Sequence, residues 1–145
     1  MAQPKVLIHA SHNEPPDAIA ALQAEGYALA YGDPAWLLPG GSHGAALAAA
    51  ARDAVALMGT SIRATPVARP VLLASQRLRL VAKYTVGVDD VDIEAATELG
   101  ILVSHAPTEA NCFGVAETTM ALMLALLKKV RERDAIVRAG GWRPP

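Results

Sequence analysis

Five short apolar runs, closed by turn residues and separated by helical stretches, constrain the fold of this 145-residue chain more than any other feature. The runs are Lys5–His9, Tyr27–Tyr31, Ala54–Met58, Leu80–Lys83 and Ile101–Ser104. Pro15 and Pro16 sit where a helix can start, Asp17 suits a first turn and Gly26 is a usual C′ residue. Asp17–Glu25 therefore reads as a helix. Ala45–Arg52 reads as an alanine-rich helix, Thr65–Gln76 as a helix with Pro66 in its first turn, and Asp92–Leu99 as a short helix stopped by Gly100. Gly32–Gly44, with Pro34, Pro39 and paired glycines, reads as a loop. Strands alternating with helices over short connections predict βαβ units. The fold class is α/β, an open parallel sheet with helices on both faces.

Composition supports that reading and narrows the function. Hydrophobic residues make up 52% of the chain but aromatic ones only 4%, so the core must be Ala, Val, Leu and Ile, as in strands buried on both faces. The length fits one domain over residues 1–145. A net charge of −1, with Lys and Arg spread along the chain, gives no electrostatic case for nucleic acid. The single cysteine, Cys112, excludes an internal disulfide and suits a reducing compartment. No charged segment followed by an apolar one marks a signal peptide. The charge-free apolar run Thr118–Leu127 is shorter than the ~20 residues that span a bilayer. The expectation is a soluble, cytoplasmic protein with no membrane partner.

The last helical segment, 112–139, has a different character. From Val115 to Leu127 it is apolar nearly all round, then it turns polar from Lys128 and ends at Gly140 and Gly141. A helix on the surface of one domain needs only one apolar stripe. This one reads either as a central core helix or as a long C-terminal connecting helix that also packs on a second body, a further domain or another subunit. The second reading is the expectation.

Two segments could carry chemistry. Tyr84-Thr85-Val86-Gly87-Val88-Asp89 follows the fourth strand, and ligands of open α/β sheets bind outside the carboxyl ends of strands. A positive φ at Gly87 would turn the backbone sharply and bring successive N–H groups to the surface as a nest for a carboxylate or phosphate. An ordinary βα turn explains the same residues. The second segment, Ala106–Cys112, leads into a helix N-terminus, where Asn111 is either the N-cap or a ligand donor. His105 and Cys112 could form a nucleophile–base pair, although a loop His and a small buried Cys account for them as well. His9, His12 and His43 show no metal-ligand spacing. Asp89, Asp90 and Asp92 suit a helix start electrostatically, so no metal is called for. There is no G-x-G-x-x-G and no phosphate loop, and neither Gly40-Gly41 nor Gly140-Gly141 fits a dinucleotide turn.

Over Leu80–Trp142 the sequence GVDDVDIEAATELGILVSHAP, then NCFGVAETTMALMLALLKKVRE, then AGGW, resembles the D-isomer-specific 2-hydroxyacid dehydrogenases, the phosphoglycerate dehydrogenase-like members above all. Over Met1–Gln76 the likeness is topological. The resemblance implies a flavodoxin-like substrate-binding domain, with NAD as cofactor and a small 2-hydroxy or 2-oxo acid as substrate. It implies that Thr85, Val86, Gly87 and Val88 hold the substrate carboxylate through backbone N–H groups. It implies that Val86 and Asn111 border the nicotinamide, with Asn111 also facing the substrate. It further implies that 112–139 connects to a nucleotide-binding domain and contributes to dimers. In the family the glycine-rich loop and the catalytic Arg, Glu and His belong to a Rossmann domain that follows the Gly-Trp segment, so no residue of this chain takes a catalytic role. The expectation is a truncated substrate-binding domain, inactive alone. The alternative is a stand-alone module for anion binding or oligomerisation. Which 2-hydroxy acid is used, and whether NAD or NADP, is decided outside these residues.

Overall fold

The computed structural model describes residues 3–10, 14–38, 43–60 and 64–142. His12 and the Gly40-Gly41 pair lie outside them. The described residues fall into two compact units, divided at Ala106–Pro107. The second unit contains the segment 112–139 that the sequence sets apart.

The sheet unit holds five parallel strands in the order β2-β1-β3-β4-β5: β1 (Lys5–Ala10), β2 (Ala28–Tyr31), β3 (Ala54–Gly59), β4 (Leu80–Lys83) and β5 (Leu102–Ser104). All five apolar runs of the sequence are strands. Four helices accompany them: α1 (Pro16–Ala24), α2 (Gly44–Ala51), α3 (Arg69–Leu72) and α4 (Ile93–Glu98). Strand side chains alternate between faces. Leu7, Leu57 and Val81 point to one face and meet Leu47 and Ala51 of α2, Val71 and Leu72 of α3, and Ala95 and Ala96 of α4 in a single core. Met58 points to the other face, where Ile19 and Leu22 of α1 share a cleft of about 260 Å³ with it and Tyr84. Helices therefore lie on both faces, as the alternation predicts.

Two helices differ from the sequence reading. The loop after β2 contains a short 3₁₀ helix, Pro34–Leu37, capped by the Asp33 side chain and anchored by the buried Trp36. The helix expected over Thr65–Gln76 shrinks to the one turn of α3. Pro70 lacks an N–H and fits only a first turn, so the helix begins beside it. Val67, upstream, pairs instead with Val91 in an isolated parallel bridge.

The helical unit holds α5 (Glu109–Leu127) and α6 (Val130–Arg138). The single helix expected over 112–139 is broken at Lys129, which takes a left-handed conformation with φ 51°. It also starts earlier, because Thr108 is the N-cap and its side chain accepts from the Asn111 N–H. With 19 residues, α5 is long and apolar enough to cross a membrane by length and composition. The run Thr118–Leu127 understates this, since helix length, not the run between charges, sets the span. Met120, Leu122, Leu124, Leu126 and Leu127 are all exposed within this unit.

Candidate functional site

Beyond Lys83 the chain leaves the sheet and turns before α4. Every carbonyl from Thr85 to Val88 is satisfied inside the protein. Thr85 O accepts from Ala106 N at 3.0 Å and Val88 O from Val91 N at 2.9 Å. Val86 O lies 2.9 Å from His105 Nδ1, and Gly87 O accepts from Thr85 Oγ1 at 2.9 Å. The N–H groups of Val86, Gly87 and Val88 have no acceptor among the described residues. Val86 and Gly87 are exposed and Val88 is half-buried. The turn therefore leaves three successive N–H groups without an acceptor among the described residues while its carbonyls are engaged. The donors do not depend on a left-handed glycine. Gly87 is absent from the positive-φ residues, which corrects that expectation. Its part is space, because a Cβ there would lie 3.2 Å from the Asp89 carboxylate.

The three aspartates after the turn separate in role. Asp92 caps α4, its side chain accepting from Ala95 N at 2.9 Å. Asp89 is exposed. Asp90 is not a helix-start charge at all. Its carboxylate lies 2.6 Å from Lys83 Nζ, both side chains are wholly excluded from solvent, and the same Nζ donates to Thr60 O at 2.7 Å. His9, only 1% exposed at the end of β1, completes a buried polar layer across the carboxyl ends of β1, β3 and β4. Gly59 pairs with Ala10, next to His9, on one side and with Lys83 on the other, and a Cβ there would approach Ala10 N to 2.8 Å. Neither ring nitrogen of His9 has a hydrogen-bond partner among the described residues. Burial, and then the Lys83 charge, push the His9 pKa down to about 4, with Asp90 opposing. Nothing in the sequence marks this layer, because a lysine ending an apolar strand and one aspartate among three look like surface charges. Tyr84 points into the cleft beneath α1; its hydroxyl is enclosed without a partner among the described residues, and burial raises its pKa to about 12.

Thr85, Val86, Gly87 and Val88 thus form one continuous turn, strapped to the loop after β5 through His105 and Ala106. Asn111 belongs to the helical unit, where it is exposed in the first turn of α5 and its backbone is capped by Thr108. It is not the N-cap. His105 is engaged with Val86 O, and Cys112 is exposed rather than buried. No group of three or more His, Cys, Asp or Glu side chains that could hold a metal occurs among the described residues.

Comparison with known proteins identifies the family. The family model for the D-isomer specific 2-hydroxyacid dehydrogenase catalytic domain matches residues 6–139. The chain belongs to the D-isomer specific 2-hydroxyacid dehydrogenase family. Among curated 2-hydroxyacid dehydrogenases, it is 44% identical over 97 residues to the D-3-phosphoglycerate dehydrogenase of Mycobacterium leprae (strain TN), covering 67% of this chain and 18% of the relative. It is 42% identical over 78 residues to the D-3-phosphoglycerate dehydrogenase of Methanocaldococcus jannaschii, covering 54% of this chain and 15% of the relative. The chain thus spans less than a fifth of these relatives. Among solved structures, a glyoxylate reductase from Paecilomyes thermophila superposes with a TM-score of 0.77 at 23% identity, over 98% of this chain and 43% of that one; it shows the fold. A Thermus thermophilus protein gives a TM-score of 0.68 at 32% identity, over 97% of this chain and 42% of that one. The 2-hydroxyacid dehydrogenase domain assignment is therefore of the phosphoglycerate dehydrogenase-like kind.

Proposed function

We propose that this chain supplies the substrate-binding part of an NAD-dependent D-2-hydroxyacid dehydrogenase and does no hydride transfer by itself. The observation that carries the reading is the row of free N–H groups at Val86, Gly87 and Val88, held outward because each neighbouring carbonyl is bonded inward. Such a row suits the carboxylate of a 2-hydroxy or 2-oxo acid. NAD, when bound, supplies the hydride acceptor. These 145 residues contain no glycine-rich dinucleotide loop and do not fit the dinucleotide alone. Val86 is proposed to border its nicotinamide; for Asn111, in the helical unit, a ligand-facing role is proposed on the family resemblance alone. Proton transfer falls to an Arg, Glu and His that the family carries in a Rossmann domain.

The exposed apolar surface of α5 supports a protein partner through Val115–Leu127, either that Rossmann domain or a second copy in a dimer. Glu109 and Glu117 make a protein partner a better match than lipid. The lone cysteine supports a cytoplasmic location. Two measurements test the reading. NADH oxidation with a panel of 2-oxo acids should show no turnover by this polypeptide above a heat-killed control. NMR titration with pyruvate, glycerate and phosphate should move the amides of Val86, Gly87 and Val88 first, with a dissociation constant no tighter than about millimolar, since each bond to ligand in a wet site replaces one to water. Gly87→Val, whose branched side chain would press on the Asp89 carboxylate and displace the turn, should abolish the shifts. Turnover, or shifts elsewhere with these three amides still, would refute the assignment. Binding far tighter than millimolar would favour a stand-alone anion-binding module.

A further inference from the structure

We infer that the buried Lys83–Asp90 pair is a positioning device for the donor row, a clasp that closes the turn from below. The inference rests on the anion-binding reading of Val86–Val88. Lys83 is the last residue of β4 and Asp90 lies seven residues later, so the pair spans the whole turn. Their contact at 2.6 Å is fully buried, and the ammonium also holds the Thr60 carbonyl at the end of β3. One side chain therefore ties the start of the turn, its end and the neighbouring strand together. Backbone bonds fasten the same end: Val67 N donates to Asp90 O at 2.7 Å and Asp92 N to Val67 O at 3.1 Å. Between these anchors the peptide groups of Val86–Val88 keep their N–H bonds outward.

Stability alone does not account for such a pair. Two charges taken out of water cost about as much as their attraction returns, and apolar residues of similar volume often serve as well. A buried pair can instead fix one conformation among several, and here the conformation it fixes is the one that aims the donors. His9, whose imidazole is kept neutral beside Lys83, adds no competing cation at neutral pH.

The double substitution Lys83→Met/Asp90→Leu removes the clasp without stranding a charge. In the 145-residue chain we expect the backbone order parameters of Val86, Gly87 and Val88 to fall from about 0.85 to below 0.6, while those of Leu57 and Val81 stay near 0.85. The dissociation constant for pyruvate or phosphate, read from the same amides, should rise at least tenfold. Lys83→Met/Asp90→Asn, which leaves no buried charge unpaired and keeps a polar side chain at the end of the turn, covers the case in which the first double variant fails to fold; it should loosen the same three amides and weaken binding at least threefold. A turn that stays ordered and binds equally in the variants overturns the clasp. Loosening spread evenly over sheet and turn also overturns it, since that is the signature of a merely structural pair. A wild-type chain whose turn amides ignore every anion overturns the binding reading itself, and with it any site for the clasp to position.

Discussion

His9 gives the sharpest test of the polar layer. An imidazole whose pKa falls from 6.5 in the unfolded chain to about 4 in the folded protein binds its proton later when folded. The unfolded state therefore takes up the proton first as pH falls through 6.5. The stabilisation is fully present above pH 6.5 and is lost as pH falls towards 4 and through it. The two pKa values together correspond to about 3 kcal/mol, of which about 2 kcal/mol is gone by pH 5. With a urea dependence of about 2 kcal/mol per molar, the unfolding midpoint of the wild-type chain should drop by about 1 M between pH 7.5 and pH 5 from this residue alone. His9→Met removes the titration while keeping much of the volume. The ring nitrogens have no partner among the described residues, so the substitution breaks no hydrogen bond and relieves a desolvated polar group worth about 1–3 kcal/mol. The variant should be as stable as the wild type or more stable at pH 7.5, and should pull further ahead as pH falls. Urea melts by circular dichroism at pH 7.5, 6.5, 5.5 and 5 give both slopes. Equal slopes in wild type and variant, or an NMR titration of His9 centred at 6 or above, would refute the reasoning.

Two further outcomes concern the helical unit. Lys129→Gly should stabilise the α5–α6 break by about 0.5–1 kcal/mol, because a lysine in the left-handed region carries a steric cost that glycine does not; a thermal melt followed at 222 nm that drops instead would contradict this. Met120→Asp places a charge on the exposed apolar surface of α5 and should convert an associating chain into a 15 kDa monomer by light scattering, with the sheet unit still folded.

Much of the sheet is legible because parallel strands buried on both faces leave uninterrupted apolar runs, and all five runs are strands. Helix boundaries are less legible. Pro66 looks like a helix start, yet Val67 beside it pairs with Val91, a contact made across the fold that no local signal reports. The turn is recognisable from its glycine and its position after a strand, but the reason it presents donors is not. That depends on His105 and Ala106, which approach from the next loop and engage the carbonyls of Val86 and Thr85. The break at Lys129 is hidden for the opposite reason: lysine carries no preference that announces a left-handed residue. Lys83 and Asp90 look like unrelated charges, since pairing across a turn is decided by where the chain comes back, not by spacing.

The strand order carries a consequence for how such a sheet is assembled. After the first 31 residues, a complete β1–β2 pair exists, and its β1 side is the edge destined for β3. Each later strand then adds to the open edge on the β1 side: β3 on β1, β4 on β3, β5 on β4. The sheet can grow in the order of synthesis, with no strand waiting for one made much later and no need to reopen an earlier pair. A fault in β1 is therefore felt by every later addition, whereas a fault in β5 disturbs only the last edge.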